Sequence, residues 1–238
     1  MIRPEPRPSP HMDYPARRRQ NLARGLRKDG LDAFLVTNPL NVSYLTGFTG
    51  DSSFLLLTPR RAILVSDDRF RVQIEEECPG LEAYIRPHDR NTWQATAEVI
   101  DKLGARNVGV ESQHLTLAGL ETLKDLAPAV DWAPRRDRVE QLRAIKDPSE
   151  VEAIRRAIRA AERAFAMLRA TISERDTEKE LADALEGYVR RAGGETGAFP
   201  AIVAIGDRSA LPHAPPTARA AGEAGFLLVD WGARRGMY

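Results

Sequence analysis

With 238 residues, 42% of them hydrophobic, the chain is long enough for two domains and can fill a core, which excludes a wholly disordered protein. Its 35 basic and 34 acidic residues nearly cancel, so no overall field recruits nucleic acid or an acidic membrane. The lone Cys78 excludes an internal disulfide and a cysteine-built zinc site, which fits a reducing, cytoplasmic setting.

In chain order, residues 1–15 read as a disordered arm, because Pro4, Pro6, Pro8, Pro10 and Pro15 break any regular element and no apolar signal core is present. The Arg17-Arg18-Arg19 cluster that follows reads either as a solvated helix start or as a contact for an anionic partner. A helix is expected over Arg18 to Lys28, with Leu22 and Leu26 on one face and Asp29-Gly30 ending it. Strands are expected over Asp32 to Thr37, Ser53 to Leu57 and Ala62 to Ser66. Between the first two, Asn38-Pro39 breaks the chain before a helical turn over Asn41 to Leu45. Helices over Phe70 to Glu77, Trp93 to Leu103 and Leu117 to Leu126 alternate with extended runs at Glu82 to Arg86 and Asn107 to Glu111, which argues for an α/β layered domain ending near Trp132.

The arginine-rich stretch after it reads as a linker, residues 133–147. Asp147 as cap, Pro148 in the first turn and Glu150 three residues past the cap then open a long helix. Its apolar stripe is expected at Val151, Ile154, Ile158, Ala161, Phe165 and Leu168. Thr177 with Glu180 opens another helix, whose Leu181, Leu185 and Tyr188 face inward until Gly193-Gly194. Strands at Ala201 to Ile205 and Phe226 to Trp231 complete a second region that reads as incomplete and ends on an unpaired strand. No apolar stretch is long enough to span a bilayer.

Two residues in this second region stand out. Asp230 closes an apolar run, where a carboxylate is costly to bury unless a cation meets it, so it reads either as a salt-bridge partner or as a metal ligand. His213 sits among Pro212, Pro215 and Pro216 on a backbone stiff enough to aim a ring, and reads either as an exposed loop histidine or as a site residue. His11, His88 and His114 read as solvent-facing or capping residues, and Cys78 as a small hydrophobe. Gly47 and Gly50 bound a tight turn without the spacing of a phosphate-binding loop.

Taken together, several motifs resemble one family. Asn38-Pro39-Leu40-Asn41-Val42-Ser43-Tyr44-Leu45-Thr46-Gly47-Phe48-Thr49-Gly50 and Asp67-Asp68-Arg69-Phe70 are similar to the N-terminal domain of creatinase and of the aminopeptidase P and prolidase group. Leu142 to Glu150, Phe199 to Gly206, Leu211-Pro212-His213 and Leu228-Val229-Asp230-Trp231-Gly232 resemble, in the family's order, the opening of its "pita-bread" catalytic domain. The fold class expected is α/β: a creatinase-like N-terminal α/β domain over 16–132, the linker, and over 148–238 the first part of a pita-bread α+β catalytic domain.

That resemblance implies a metallopeptidase cutting between an N-terminal residue and proline. Two divalent ions, manganese in the family, activate a bridging hydroxide, with Asp230 as a shared ligand and His213 in contact with the substrate near the scissile bond. The family's second Asp, its metal-binding His and its two Glu ligands would lie beyond Tyr238. The chain is therefore expected to be an inactive fragment that holds no metal tightly. A homodimer, a peptide substrate with proline in second position, no nucleic acid and no membrane complete the expectation. The rivals are a creatinase-like amidinohydrolase working without metal, against which Asp230 speaks, and a non-catalytic peptide-binding module on the same scaffold.

Overall fold

A computed structural model describes residues 13–238, so most of the arm read over 1–15 lies outside the described residues. Helix α1 (Tyr14–Lys28) starts four residues earlier than the periodicity predicts, because the Asp13 side chain caps the Ala16 amide at 2.8 Å and Pro15 fits the first turn. The chain divides into two compact units, one running to Lys146 and the other from Asp147.

The first unit is built on a six-stranded mixed sheet. After α1 come β1 (Ala33–Val36), α2 (Pro39–Thr46), β2 (Phe54–Leu57), β3 (Ala62–Ser66), α3 (Arg71–Glu77), β4 (Glu82–Ile85), α4 (Thr92–Leu103), β5 (Asn107–Glu111), α5 (Leu117–Leu126), β6 (Asp131–Arg135) and α6 (Glu140–Ala144). The spatial order is β4-β3-β2-β1-β5-β6. The β1–β2 and β2–β3 pairs are antiparallel, and β1–β5, β5–β6 and β3–β4 are parallel. Every residue of β1 is buried, as a central strand covered on both faces requires, and Ala33, Leu35, Leu56, Val65, Ile100 and Val110 share one core cluster. Each of the Leu, Val and Ile side chains among them contributes about 1.5–3 kcal/mol on removal from water.

The linker expected over 133–147 is corrected by the structure. Strand β6 pairs with β5 from Asp131 to Arg135, and Val139 is fully buried. Pro134 is tolerated because β6 is an edge strand with β5 on one side only. Asn41 ties the segment down further: its amide donates to Glu140 Oε1 at 2.6 Å, and its carbonyl accepts from Arg143 Nη1 at 2.9 Å. The joint thus narrows to the boundary at Lys146 and Asp147.

The second unit contains α7 (Pro148–Thr171), α8 (Glu178–Arg191), β7 (Thr196–Gly197), β8 (Ile202–Ile205), β9 (Leu227–Asp230) and β10 (Ala233–Arg234), with short 3-10 turns at Gly206–Ala210 and Ala221–Glu223. The Asp147 carboxylate caps Ser149 and Glu150, and the Glu150 side chain returns to the Asp147 amide at 3.0 Å. The buried face of α7 is Ala157, Ala160, Ala164 and Leu168, while Ile158 is exposed. This differs from the stripe the apolar spacing predicts, because small alanines let α8 approach closely with Leu181, Leu185 and Val189. Tyr188, expected inward, is half-buried, and its hydroxyl lies 2.9 Å from that of Thr171. Strand β9 is not unpaired as expected: it runs antiparallel to β8, with Ile205 opposite Leu227 and Ile202 opposite Asp230.

Candidate functional site

Strands β8 and β9 form because Ile202-Val203-Ala204-Ile205 and Leu227-Leu228-Val229 are apolar and rich in β-branched residues, and Val203, Ala204 and Ile205 are buried. The pairing sets Asp230 at the carboxyl end of β9. Its side chain is exposed rather than buried, so the burial argument for a cationic partner does not apply as the sequence predicts. Among the described residues the Asp230 carboxylate makes no hydrogen bond or ion pair.

The residues after Asp230 hold its backbone in place. The Trp231 ring stacks on Phe165 of α7 with centroids 4.2 Å apart, and its Nε1 donates to the Ala161 carbonyl at 3.0 Å. A side chain at Gly232 would bring a Cβ within 2.9 Å of the Ala198 Cβ, so only glycine lets that neighbouring segment pass. A cavity of about 620 Å³ opens here, lined by one side of α8 from Lys179 to Val189, by Thr196 to Ala201, and by Pro216, Trp231 and Gly232. It has an apolar floor with Lys179, Asp183 and Glu186 among its polar groups.

His213 is exposed in the turn that follows the Gly206–Ala210 3-10 helix. The turn is anchored beneath it: Ala214 is buried, Ser209 Oγ donates to the Ala204 carbonyl at 3.0 Å, and Arg208 Nη2 donates to the Pro215 carbonyl at 2.7 Å. No hydrogen bond among the described residues joins His213 to Asp230, and neither lines the cavity, although Pro216 and Trp231 from their two segments do. Among the described residues there is also no cluster of three or more His, Cys, Asp or Glu side chains able to hold a metal ion. Asp230 alone offers too few oxygens to replace an ion's hydration shell, so these residues do not by themselves make a metal site.

Two buried carboxylates went unnoticed in the sequence. Glu178, the first residue of α8, is fully buried and accepts from Ile205 N, Thr217 N, Thr217 Oγ1 and Arg208 Nε. Burial pushes its carboxyl up, but the Thr217, Ile205 and Arg208 hydrogen bonds outweigh this and hold it below the usual range. In the first unit Glu111, at the end of β5, accepts from Thr37 N, Asn38 N and Asn41 Nδ2, which closes the open end of β1. There burial dominates and, with the nearby Glu140 charge, raises the carboxyl above its ordinary range.

The remaining candidates are structural. Asp67 of the Asp-Asp-Arg-Phe motif is gripped by Arg69 Nε and Nη2 at 2.9 and 2.7 Å, which keeps its carboxyl below the usual range. Cys78 is buried, its thiol pushed up by burial and directed at the Thr46 carbonyl. His114 is exposed and its Nδ1 lies 3.2 Å from Thr37 Oγ1; His88 is exposed, and His11 lies outside the described residues.

Comparison with known proteins adds to this geometry. Residues 18–145 match the creatinase/prolidase N-terminal domain, and residues 152–238 match metallopeptidase family M24. The uncharacterized peptidase YqhT of Bacillus subtilis is 29% identical over 86% of the chain and 57% of its own length. The Xaa-Pro dipeptidase from Bacillus anthracis superposes with a TM-score of 0.84 at 28% identity, over 92% of this chain and 61% of that one. The X-Pro aminopeptidase from Thermotoga maritima gives 0.80 at 30% identity, over 89% and 61%. The chain therefore spans about three fifths of the length of the relatives it matches.

Proposed function

The chain belongs to the creatinase/prolidase family, and from that premise we propose that it serves a metal-dependent peptidase acting on peptides whose second residue is proline. The match of residues 152–238 to a metallopeptidase family supports the reading over an amidinohydrolase, and both superposed structures bear Xaa-Pro peptidase names. The observation that carries it is Asp230, an exposed carboxylate without a protein partner, held at a strand end by the Trp231 anchor beside a 620 Å³ cavity. In this reading Asp230 is one donor to a divalent ion, proposed as manganese in a two-ion site, and His213 hydrogen-bonds the substrate near its scissile carbonyl.

A bound ion would supply Lewis-acid polarisation and a water of lowered pKa. What this chain's residues do is narrower. Asp230 presents an acceptor at a fixed backbone position, His213 offers a ring donor from a braced turn, and the cavity can receive an apolar side chain. With Asp230 the single ligand proposed on this chain and no three-residue donor cluster among the described residues, the 238-residue chain alone is proposed to be inactive. A homodimer and a cytoplasmic setting go with the same reading. Among the described residues no helix is long and apolar enough to cross a membrane.

The test compares Asp230→Ala and His213→Ala in an intact protein of the relatives' length, by metal analysis and hydrolysis of an Xaa-Pro peptide. Asp230→Ala should lose metal and turnover together. His213→Ala should keep its metal and lose about a hundredfold in catalytic efficiency, the scale of one positioned donor. An Asp230→Ala protein that kept both metal and activity would overturn the assignment in favour of an amidinohydrolase or a binding module.

A further inference from the structure

His213 lies within a long connection, residues 206–226, between β8 and β9, and its own ring makes no hydrogen bond among the described residues. A residue that must meet a reacting group from such a loop needs its backbone fixed from elsewhere. The fixing group is Glu178. One carboxylate oxygen accepts from Ile205 N at 2.8 Å, and the other from Thr217 N at 2.8 Å and Thr217 Oγ1 at 2.6 Å. Arg208 Nε bridges both oxygens at 3.1 and 3.0 Å, and its Nη2 reaches on to the Pro215 carbonyl. These partners fall on both sides of His213 in the chain, so one side chain pins the incoming and outgoing limbs of the turn.

Main-chain bonds reinforce the clamp. The amides of Glu178 and Lys179, which open α8 and so lack partners within the helix, donate to the Arg219 and Thr217 carbonyls at 3.0 and 3.1 Å. Gly206, where the loop leaves β8, has φ +61°, a conformation that strains any side chain, and an added Cβ would sit 2.9 Å from the Ala224 Cβ. A fully buried carboxylate is tolerated only when its lone pairs are filled, and here Ile205, Arg208 and Thr217 fill them.

We propose that Glu178 is a positioning residue, clamping residues 205–217 so that His213 is presented in one orientation; this rests on the substrate contact proposed for His213. The test measures amide hydrogen exchange over 205–217 and the ring nitrogen resonances of His213 in wild type, Glu178→Gln, Thr217→Val and Thr217→Ser. Glu178→Gln and Thr217→Val should speed loop exchange by about tenfold or more, as loss of a charge-assisted hydrogen bond implies, and shift the His213 resonances, while α7 keeps its protection. Thr217→Ser, which retains the hydroxyl, should match wild type. If Glu178→Gln fails to fold, the Thr217 pair decides. Unchanged loop exchange in the variants that fold overturns the clamp.

The link to His213 is read in an intact protein of the relatives' length by a double-mutant cycle on Xaa-Pro hydrolysis. Glu178→Gln should lower kcat with little change in KM, and should add no loss in a His213→Ala background. Fully additive losses would overturn the positioning role. Absence of any Xaa-Pro hydrolysis by wild type would instead fell the functional reading, and the clamp would then be judged on exchange and resonances alone.

Discussion

Two buried glutamates with similar partners shift in opposite directions. At Glu111 burial outweighs the hydrogen bonds, whereas at Glu178 burial is outweighed by the Thr217, Ile205 and Arg208 hydrogen bonds, and the neighbouring charges add to each shift. Glu178 has Arg208 against it, whereas Glu111 shares the Asn41 amide with a second carboxylate, Glu140. The folded-state pKa of Glu178 lies below its unfolded value, so its contribution is present above the unfolded glutamate value of about 4.3 and is lost as pH falls through the lowered folded value. Glu111, raised on folding, contributes below the unfolded value and loses that contribution as pH rises through its folded value. Urea unfolding from pH 3 to pH 8 should therefore show the second unit of Glu178→Gln without part of its acid limb. The first unit of Glu111→Gln should lose the opposing slope. Profiles superimposable on wild type would contradict both assignments. Asp230 and His213 were visible as candidates in the sequence because each sits in an ordered motif. Glu178 was not, because Thr177 and Glu180 account for the start of the helix and nothing local shows that the intervening side chain is covered by a loop thirty-odd residues on.

Among the elements, α7 shows what local pattern conveys and where it stops. Its capping box was readable, and Asp147→Ala should destabilise the second unit by about 1 kcal/mol in chemical denaturation. Its buried face was readable only in part, at Leu168 and the half-buried Ala161 and Phe165, because elsewhere the larger apolar residues draw the stripe to one side while Ala157, Ala160 and Ala164 are the residues buried. Ala164→Leu should then cost about 1–3 kcal/mol by overpacking, whereas Ile158→Ala should stay within about 0.5 kcal/mol. The reverse ranking would restore the stripe read from spacing. The central strands were legible as continuous apolar runs. Strand β6 was hidden by Pro134 and its charged flanks, and β7 and β10 are two-residue pairings with no periodicity to read.

At the scale of the whole chain, the first unit closes a core around a six-stranded sheet, while the second packs two helices on two-stranded pieces. Native-state hydrogen exchange should find the slowest amides in β1 and β5, with lower protection across residues 147–238. Equal protection throughout would contradict that ranking. The α/β class and family were legible because several motifs occur in order, whereas the joint was misplaced because an arginine-rich sequence can also line a sheet edge. The claim on which the functional account turns is metal-dependent cleavage before proline. It is tested by assaying an intact protein of the relatives' length on matched Xaa-Pro and Xaa-Ala peptides, before and after chelation and with manganese restored. The account predicts cleavage of the Xaa-Pro peptide that vanishes on chelation and returns with the ion; cleavage indifferent to chelation, or no preference for proline, would contradict it.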